Sequence, residues 1–283
     1  FGANAGWRLA FLVAGAPGLA LAALVWRIRE HPGAAGAAGD TAASVAVAQV
    51  GVDWRQRVRG GAAALMASAR QALSIRTVRY AIALQALVYI AVTPTVTFLP
   101  IYLRSRHAPF HVTDAQASLL AGLLLVLGGV VGTLLGGPLA DWLGRKVRGG
   151  RLLAIGVGFG LGVPGYVTIL LTHSLVVFIV VGTLTVLALN LQVGPLGAVL
   201  QDATPPHVRA SVVAFAMMVA HLLSDTWSPA TVGAISTHFG ERTATGLLAV
   251  AVPTMLLAVV VAVIGRRAYA EDVERRAREG AGE

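Results

Sequence analysis

The sequence predicts an all-α membrane protein, a bundle of helices that each cross the bilayer. Three observations carry this. Of 283 residues, 56% are apolar and only 12% are charged, about half the charged fraction of a soluble domain. Seven apolar runs recur along the chain, each near the roughly 20 residues a helix needs to cross the hydrocarbon core. The cations fall almost wholly between those runs, in alternate loops.

The runs span residues 9–26, 80–103, 115–140, 152–171, 175–200, 211–235 and 244–265. They read as helices, because backbone in lipid must satisfy its own hydrogen bonds. A membrane barrel would show shorter segments alternating in polarity, and these do not alternate. Seven crossings put successive loops on opposite sides. Residues 27–79, 141–151, 201–210 and the tail from 266 hold eight, four, one and five Lys or Arg, eighteen of the 22. Arg8, Arg104, Arg106 and Arg242 fall on the other side. The positive-inside rule assigns the eighteen-cation side, and with it the C-terminus, to the cytoplasm. The net charge of +9 is thereby explained without nucleic acid, which is not expected as a partner.

The first run stands apart, and "HPGAAGAAGDTAASVAVAQVG" after it reads as a flexible linker. "WRQRVRGGAAALMASARQALSIRTVR" mixes Arg with Leu, Met, Ile and Val, which suits a helix lying on the membrane surface against lipid headgroups. The expected organisation is a membrane helix in residues 1–27, a cytoplasmic linker with an interfacial helix in 28–79, a six-helix bundle in 80–265 and a cytoplasmic tail in 266–283.

Small residues and prolines punctuate the runs. Gly128, Gly132 and Gly136 recur every fourth residue, as do Gly156/Gly160 and Gly158/Gly162, so helix backbones can approach closely on those faces. Pro94, Pro100, Pro164, Pro195, Pro229 and Pro253 each remove a backbone donor and bend a helix. They serve packing alone or act as hinges.

Among the 13 acids, only Asp225 falls well inside a run. A carboxylate at the bilayer centre costs ~2.5–3.5 kcal/mol on insertion scales and is a functional candidate by default. His221 lies four residues earlier on the same helical face, and Ser228 continues it. Such a pair can hold and release a proton, or it can brace the helix as a hydrogen-bonded couple. Gln85, Tyr89 and Thr93 share a face of the second run. Asn190 and Gln192 lie midway along the fifth. Each lines a polar path or joins neighbouring helices.

Enzyme signatures are sparse. There is no H-E-x-x-H, G-x-S-x-G or Walker loop, and with no cysteine there is no thiol chemistry or Cys zinc site. Asp202 and His207 do not suggest a metal site, so no metal or cofactor is expected. An intramembrane hydrolase using Ser224 or Ser228 with His221 is one alternative. A nontransporting membrane receptor or scaffold is another.

"GGPLADWLGRK" resembles the cytoplasmic-loop signature G-x-x-x-D-R-x-G-R-R of the major facilitator superfamily. Gly137, Asp141, Gly144, Arg145 and Lys146 match, while Trp142 stands where the family has a cation. "GWRLAFLVAGAPG" is similar to the family's approach to its sixth helix. The resemblance implies helices six to twelve of twelve, with the first five helices, the rest of the N-terminal half, lying upstream. It also implies that the loop motif gates the conformational switch, with Asp141 facing a helix end of the other half. "PPHVRASVVAFAMMVAHLLSDTWSPATVGAIS" further resembles the spinster-like branch, H-L-L-G-D-x-x-S-P-x-x-x-G, with Ser224 in place of the Gly. The resemblance implies a secondary transporter of the inner membrane of a bacterium, proton-coupled, moving a small organic or lysolipid-like amphiphile. Asp225 and His221 would carry the proton, and Gln85, Tyr89, Thr93, Asn190 and Ser228 would line the path. The expected partners are that solute, the proton, membrane lipids and the preceding half of the protein.

Overall fold

The computed structural model describes residues 15–19, 21–24, 66, 69–105, 110, 112–205, 208–240 and 242–281. Two compact units divide the chain, Phe1–Trp54 and Arg55–Glu283. In the first, residues 15–19 and 21–24 are helical and exposed. The rest of the expected 9–26 crossing, linker residues 27–65, Arg8, Arg106 and His207 lie outside the described residues.

The second unit is all helix among its described residues. Its elements are α1 (Arg76–Arg104), α2 (Asp114–Lys146), α3 (Gly150–Leu171), α4 (Leu175–Asn190), α5 (Val193–Ala203), α6 (Arg209–Ser224), α7 (Ser228–His238) and α8 (Thr243–Ala281). Taking α4–α5 and α6–α7 as interrupted pairs, six helices among the described residues are long and apolar enough to cross a membrane. Their outward faces are apolar too: Leu119, Leu123 and Leu134 of α2, Val176 and Leu184 of α4, and Leu256 and Val260 of α8 are exposed. An exposed apolar surface of this extent is a lipid-facing one. The chain is an integral membrane protein.

Two expected crossings differ from the structure in the same way. The 175–200 run breaks at Leu191–Gln192 and the 211–235 run breaks at Asp225–Trp227. Proline explains both. Pro195 cannot donate to the Leu191 carbonyl, nor Pro229 to that of Asp225, so each ladder is cut four residues before its proline. Pro94, Pro100, Pro138, Pro164 and Pro253 instead sit inside continuous helices. α1 also begins earlier than expected, at Arg76. It follows a short helix at 69–74 whose Ala72 is fully buried.

Local chemistry sets the other ends. Thr113 starts α2 with a reciprocal cap: its hydroxyl accepts from the Gln116 amide at 3.3 Å, and the Gln116 side chain accepts from the Thr113 amide at 3.0 Å. Gly149 starts α3 with φ +72°, a left-handed conformation that costs glycine nothing. A Cβ there would also strike the Arg266 carbonyl of α8.

α8 packs along α1 and α3, α2 along α4, α3 along α4, and α1 along α6. The α2 glycine stripe does what its spacing predicts. A Cβ on Gly128 would lie 2.7 Å from the Thr183 carbonyl oxygen, and Cβ atoms on Gly132 and Gly136 would strike the carbonyls of Leu187 and Leu191. Behind these contacts sits a core that includes Tyr166, Phe159, Phe178, Leu84 and Met255. α8 does not stop where its apolar run ends at Gly265. It continues as helix through the charged residues to Ala281.

Candidate functional site

The α6–α7 break is built from the stretch Ser224–Ser228. A break at membrane depth needs substitutes for lost backbone hydrogen bonds. Thr226 and Trp227 supply them to the Leu222 and Leu223 carbonyls, while Ser224 and Thr231 add bonds to carbonyls that keep their backbone donors. Ser224 Oγ donates to the Ala220 carbonyl at 2.8 Å, Thr226 Oγ1 to Leu222 at 3.4 Å and Trp227 Nε1 to Leu223 at 2.6 Å. Thr231 Oγ1 donates to the Trp227 carbonyl at 2.9 Å on the far side. Asp225 caps the end of α6, its amide bonded to the His221 carbonyl at 2.9 Å.

The carboxylate of Asp225 is therefore held at a helix interruption and not, as the sequence suggested, within one unbroken helix. Three side chains address it. His221 Nδ1 lies 2.7 Å from Oδ2, Thr93 Oγ1 donates to Oδ1 at 2.8 Å, and Ser224 Oγ donates to Oδ1 at 3.1 Å. The Tyr89 ring stacks on His221 with centroids 4.1 Å apart and planes 24° apart. Four of the expected residues, Tyr89, Thr93, His221 and Asp225, thus form one cluster joining α1 to α6. The Asp225 and His221 side chains remain 39% and 49% exposed, so the pair is open to whatever adjoins this face.

The other path residues lie elsewhere in the bundle. Gln85, one turn before Tyr89 on α1, is buried, and its Oε1 has no hydrogen-bond partner among the described residues. Ser228 at the start of α7 is fully buried with Oγ in the same condition. Asn190 turns back on its own helix, donating to the Val186 carbonyl at 2.8 Å, and packs against Gly132 of α2. It does not join the Asp225 cluster. Ser224, considered as a nucleophile, spends its hydroxyl on backbone carbonyls and on Asp225. No group of three or more His, Cys, Asp or Glu that could hold a metal occurs among the described residues.

At the basic end the loop motif sits in a network that motif spacing did not disclose. Asp141 accepts from Arg151 Nη2 at 2.9 Å, and Arg151 Nη1 bonds Asp202 of α5. Tyr269 of α8 donates to the same Asp202 carboxylate at 2.7 Å, and Arg276 to the Asp202 carbonyl at 3.1 Å. Arg148 pairs with Glu274. Asp141 is thereby held to α3 within the bundle. Gly144 lies beside the Arg151 side chain, where a Cβ would sit 3.7 Å from Cγ, and a Cβ on Gly137 would meet open space. Lys146 Nζ stands 4.1 Å above the Trp142 ring, so the tryptophan that departs from the motif engages the motif's own lysine. Arg145 lines an open depression of about 920 Å³ beside this network.

The described residues thus form an all-α membrane bundle with a polar helix interruption and a charged loop network, and comparison with known proteins gives its family. The sequence profile of the Major Facilitator Superfamily matches residues 1–224, and the chain belongs to that superfamily. Protein spinster homolog 3 of Danio rerio is 32% identical over 137 residues, 47% of this chain and 27% of that protein. The crystal structure of a bacterial homolog to the human lysosomal transporter Spinster, inward-facing and unoccupied, aligns with a TM-score of 0.57 at 19% identity. That alignment covers 95% of this chain and 59% of the other. The chain thus spans about 59% of its solved structural neighbour and 27% of the curated relative.

Proposed function

We propose that this chain forms the C-terminal half, with one preceding helix, of a proton-coupled transporter that works by alternating access. Residues 1–27 are then the last helix of the N-terminal half, 28–79 the cytoplasmic linker, 80–265 the six-helix bundle and 266–283 the cytoplasmic tail. The basic end faces the cytoplasm of a bacterial inner membrane, in keeping with the positive-inside rule.

The carrying observation is the Asp225 carboxylate, bonded at once by His221, Thr93 and Ser224 at a broken helix. Protonation of this pair changes the charge and hydrogen-bond count of the junction between α1 and α6. That is the chemistry needed to bias two packings of the same bundle. Discontinuous helices at a transporter's midplane commonly supply its ion and substrate sites. Tyr89 and Thr93 carry the polar path beside the pair, whereas Gln85 and Ser228 are buried and Asn190 bonds its own helix, so these three join the path only in another packing of the bundle. Asp141, Gly144, Arg145 and Lys146 form the switch at the basic end, beginning at Gly137. The cargo is a small organic or amphiphilic solute, lysolipid-like in line with the spinster similarity.

Proteoliposome uptake by the full-length protein tests this. Asp225→Asn keeps the shape and an acceptor for Thr93 but removes the ionisable group. Uptake driven by a pH gradient is expected to fall at least tenfold while facilitated exchange of cargo persists. Gradient-driven uptake at the native rate would remove Asp225 from proton coupling.

A further inference from the structure

Where α1 and α8 leave the membrane at the basic end, they enclose a notch of about 580 Å³. Arg76, Arg79 and Arg267 form its rim, and Tyr80, Val261 and Ile264 line its apolar part. A Cβ on Gly265 would stand 3.0 Å from the Tyr80 ring, closer than ordinary contact, so the glycine lets that ring lie close against α8. The rim marks a definite depth. Arg79 is the last charge before the apolar run of α1, and Arg266 and Arg267 are the first after the run of α8. The guanidiniums therefore stand at headgroup level and the apolar part at the level of the first acyl carbons.

The charge at the rim is largely uncompensated. Arg76 reaches Glu271 only at 4.0 Å, with both side chains more than two-thirds exposed, a pairing worth little in water. Among the described residues the guanidiniums of Arg79 and Arg267 make no ion pair or hydrogen bond. A second concavity of about 480 Å³ adjoins the first, sharing Arg267 and Glu271 and adding Lys146 and Arg266. Glu271 is the one carboxylate lining either concavity.

We propose that this notch seats an anionic phospholipid of the surrounding leaflet. Arg79 and Arg267 hold its phosphate from two helices, and Tyr80, Val261 and Ile264 receive the start of an acyl chain. The apolar lining selects a lipid over a free anion, which would use the rim and leave the remainder of the notch wet. The inference is independent of the transport reading, since it requires only that these helices cross a membrane.

The test uses the full-length protein in phosphatidylcholine bilayers containing either spin-labelled phosphatidylglycerol or spin-labelled phosphatidylcholine. Preferential association of the anionic label is expected. The double substitution R79Q/R267Q should reduce that preference by about fivefold for each arginine lost. R79K/R267K should keep most of it, and R104Q at the opposite end should leave it intact. Absence of a preference, or a preference untouched by R79Q/R267Q, would overturn the proposal. So would thermal stabilisation by soluble inorganic phosphate equal to that by phosphatidylglycerol vesicles, because the anion alone would then suffice.

Discussion

The residue with the clearest energetic role is Asp272, which the sequence placed only in a charged tail. Its side chain is buried, with the residue 4% exposed, and it accepts from the Thr77 amide at 3.0 Å and the Thr77 hydroxyl at 2.8 Å. Arg275 donates to its other oxygen at 2.9 Å. A carboxylate at a helix start is favoured by the free amides and by the helix dipole. Asp272 therefore caps α1 from the last helix of the fold. Asp272→Ala strands two donors, which costs about 1–3 kcal/mol, and a lowered melting temperature of the detergent-purified protein is the expected reading. Asp272→Asn keeps an acceptor and should lose about half as much. The i,i+4 relation of His221 and Asp225 was legible in the sequence because it lies on one turn. The bond from Thr93, 132 positions away in the chain, was not. Spacing put Tyr89 and Thr93 on one face of α1 but named no partner for that face.

Helix existence follows from hydropathy, because runs of about 20 apolar residues leave few other solutions in lipid. Helix continuity does not. A window of apolar residues has the same average whether or not the backbone is broken, so the interruptions at 191–192 and 225–227 had to be read from Pro195 and Pro229 individually. Five other prolines sit inside helices without dividing them. At the second break, Thr226 and Trp227 supply side-chain bonds to the Leu222 and Leu223 carbonyls, which compensates for the interruption. The packing of α2 on α4 was legible from the glycine stripe. Gly132→Val forces those helices apart, because its Cβ would strike the Leu187 carbonyl. A loss of about 1–3 kcal/mol, the usual range for overpacking, should appear in thermal unfolding. Gly122→Ala on the same helix meets nothing within 4 Å, and it should be neutral or stabilising by about 0.5–1 kcal/mol.

For the whole molecule, hydropathy gave the six crossings found among the described residues, and their packing into a bundle required the three-dimensional structure. The network at the basic end shows why. Arg151 and Asp202 are 51 positions apart and Asp202 and Tyr269 are 67 apart, distances at which sequence spacing carries no contact information. Arg151 ties α3 to Asp141 of α2 and Asp202 of α5, with its side chain 33% exposed. Partial exposure places its worth between that of a surface pair and that of a buried one. Arg151→Gln is expected to lower stability by about 1–2 kcal/mol and to broaden inter-helix distances at this end, measured between spin labels on α2 and α5. Unchanged distance distributions would show that helix packing, and not this network, holds the basic end together.

The long α8 gives the bundle a mechanical property. Beyond Gly265 it runs on as a rod to Ala281, gripping the first residues of α1 through Asp272 and the end of α5 through Arg276. Chain arriving at Thr77 from upstream is thus fastened to the final helix before it enters the bundle. Asp272 is the rivet between the start of α1 and α8.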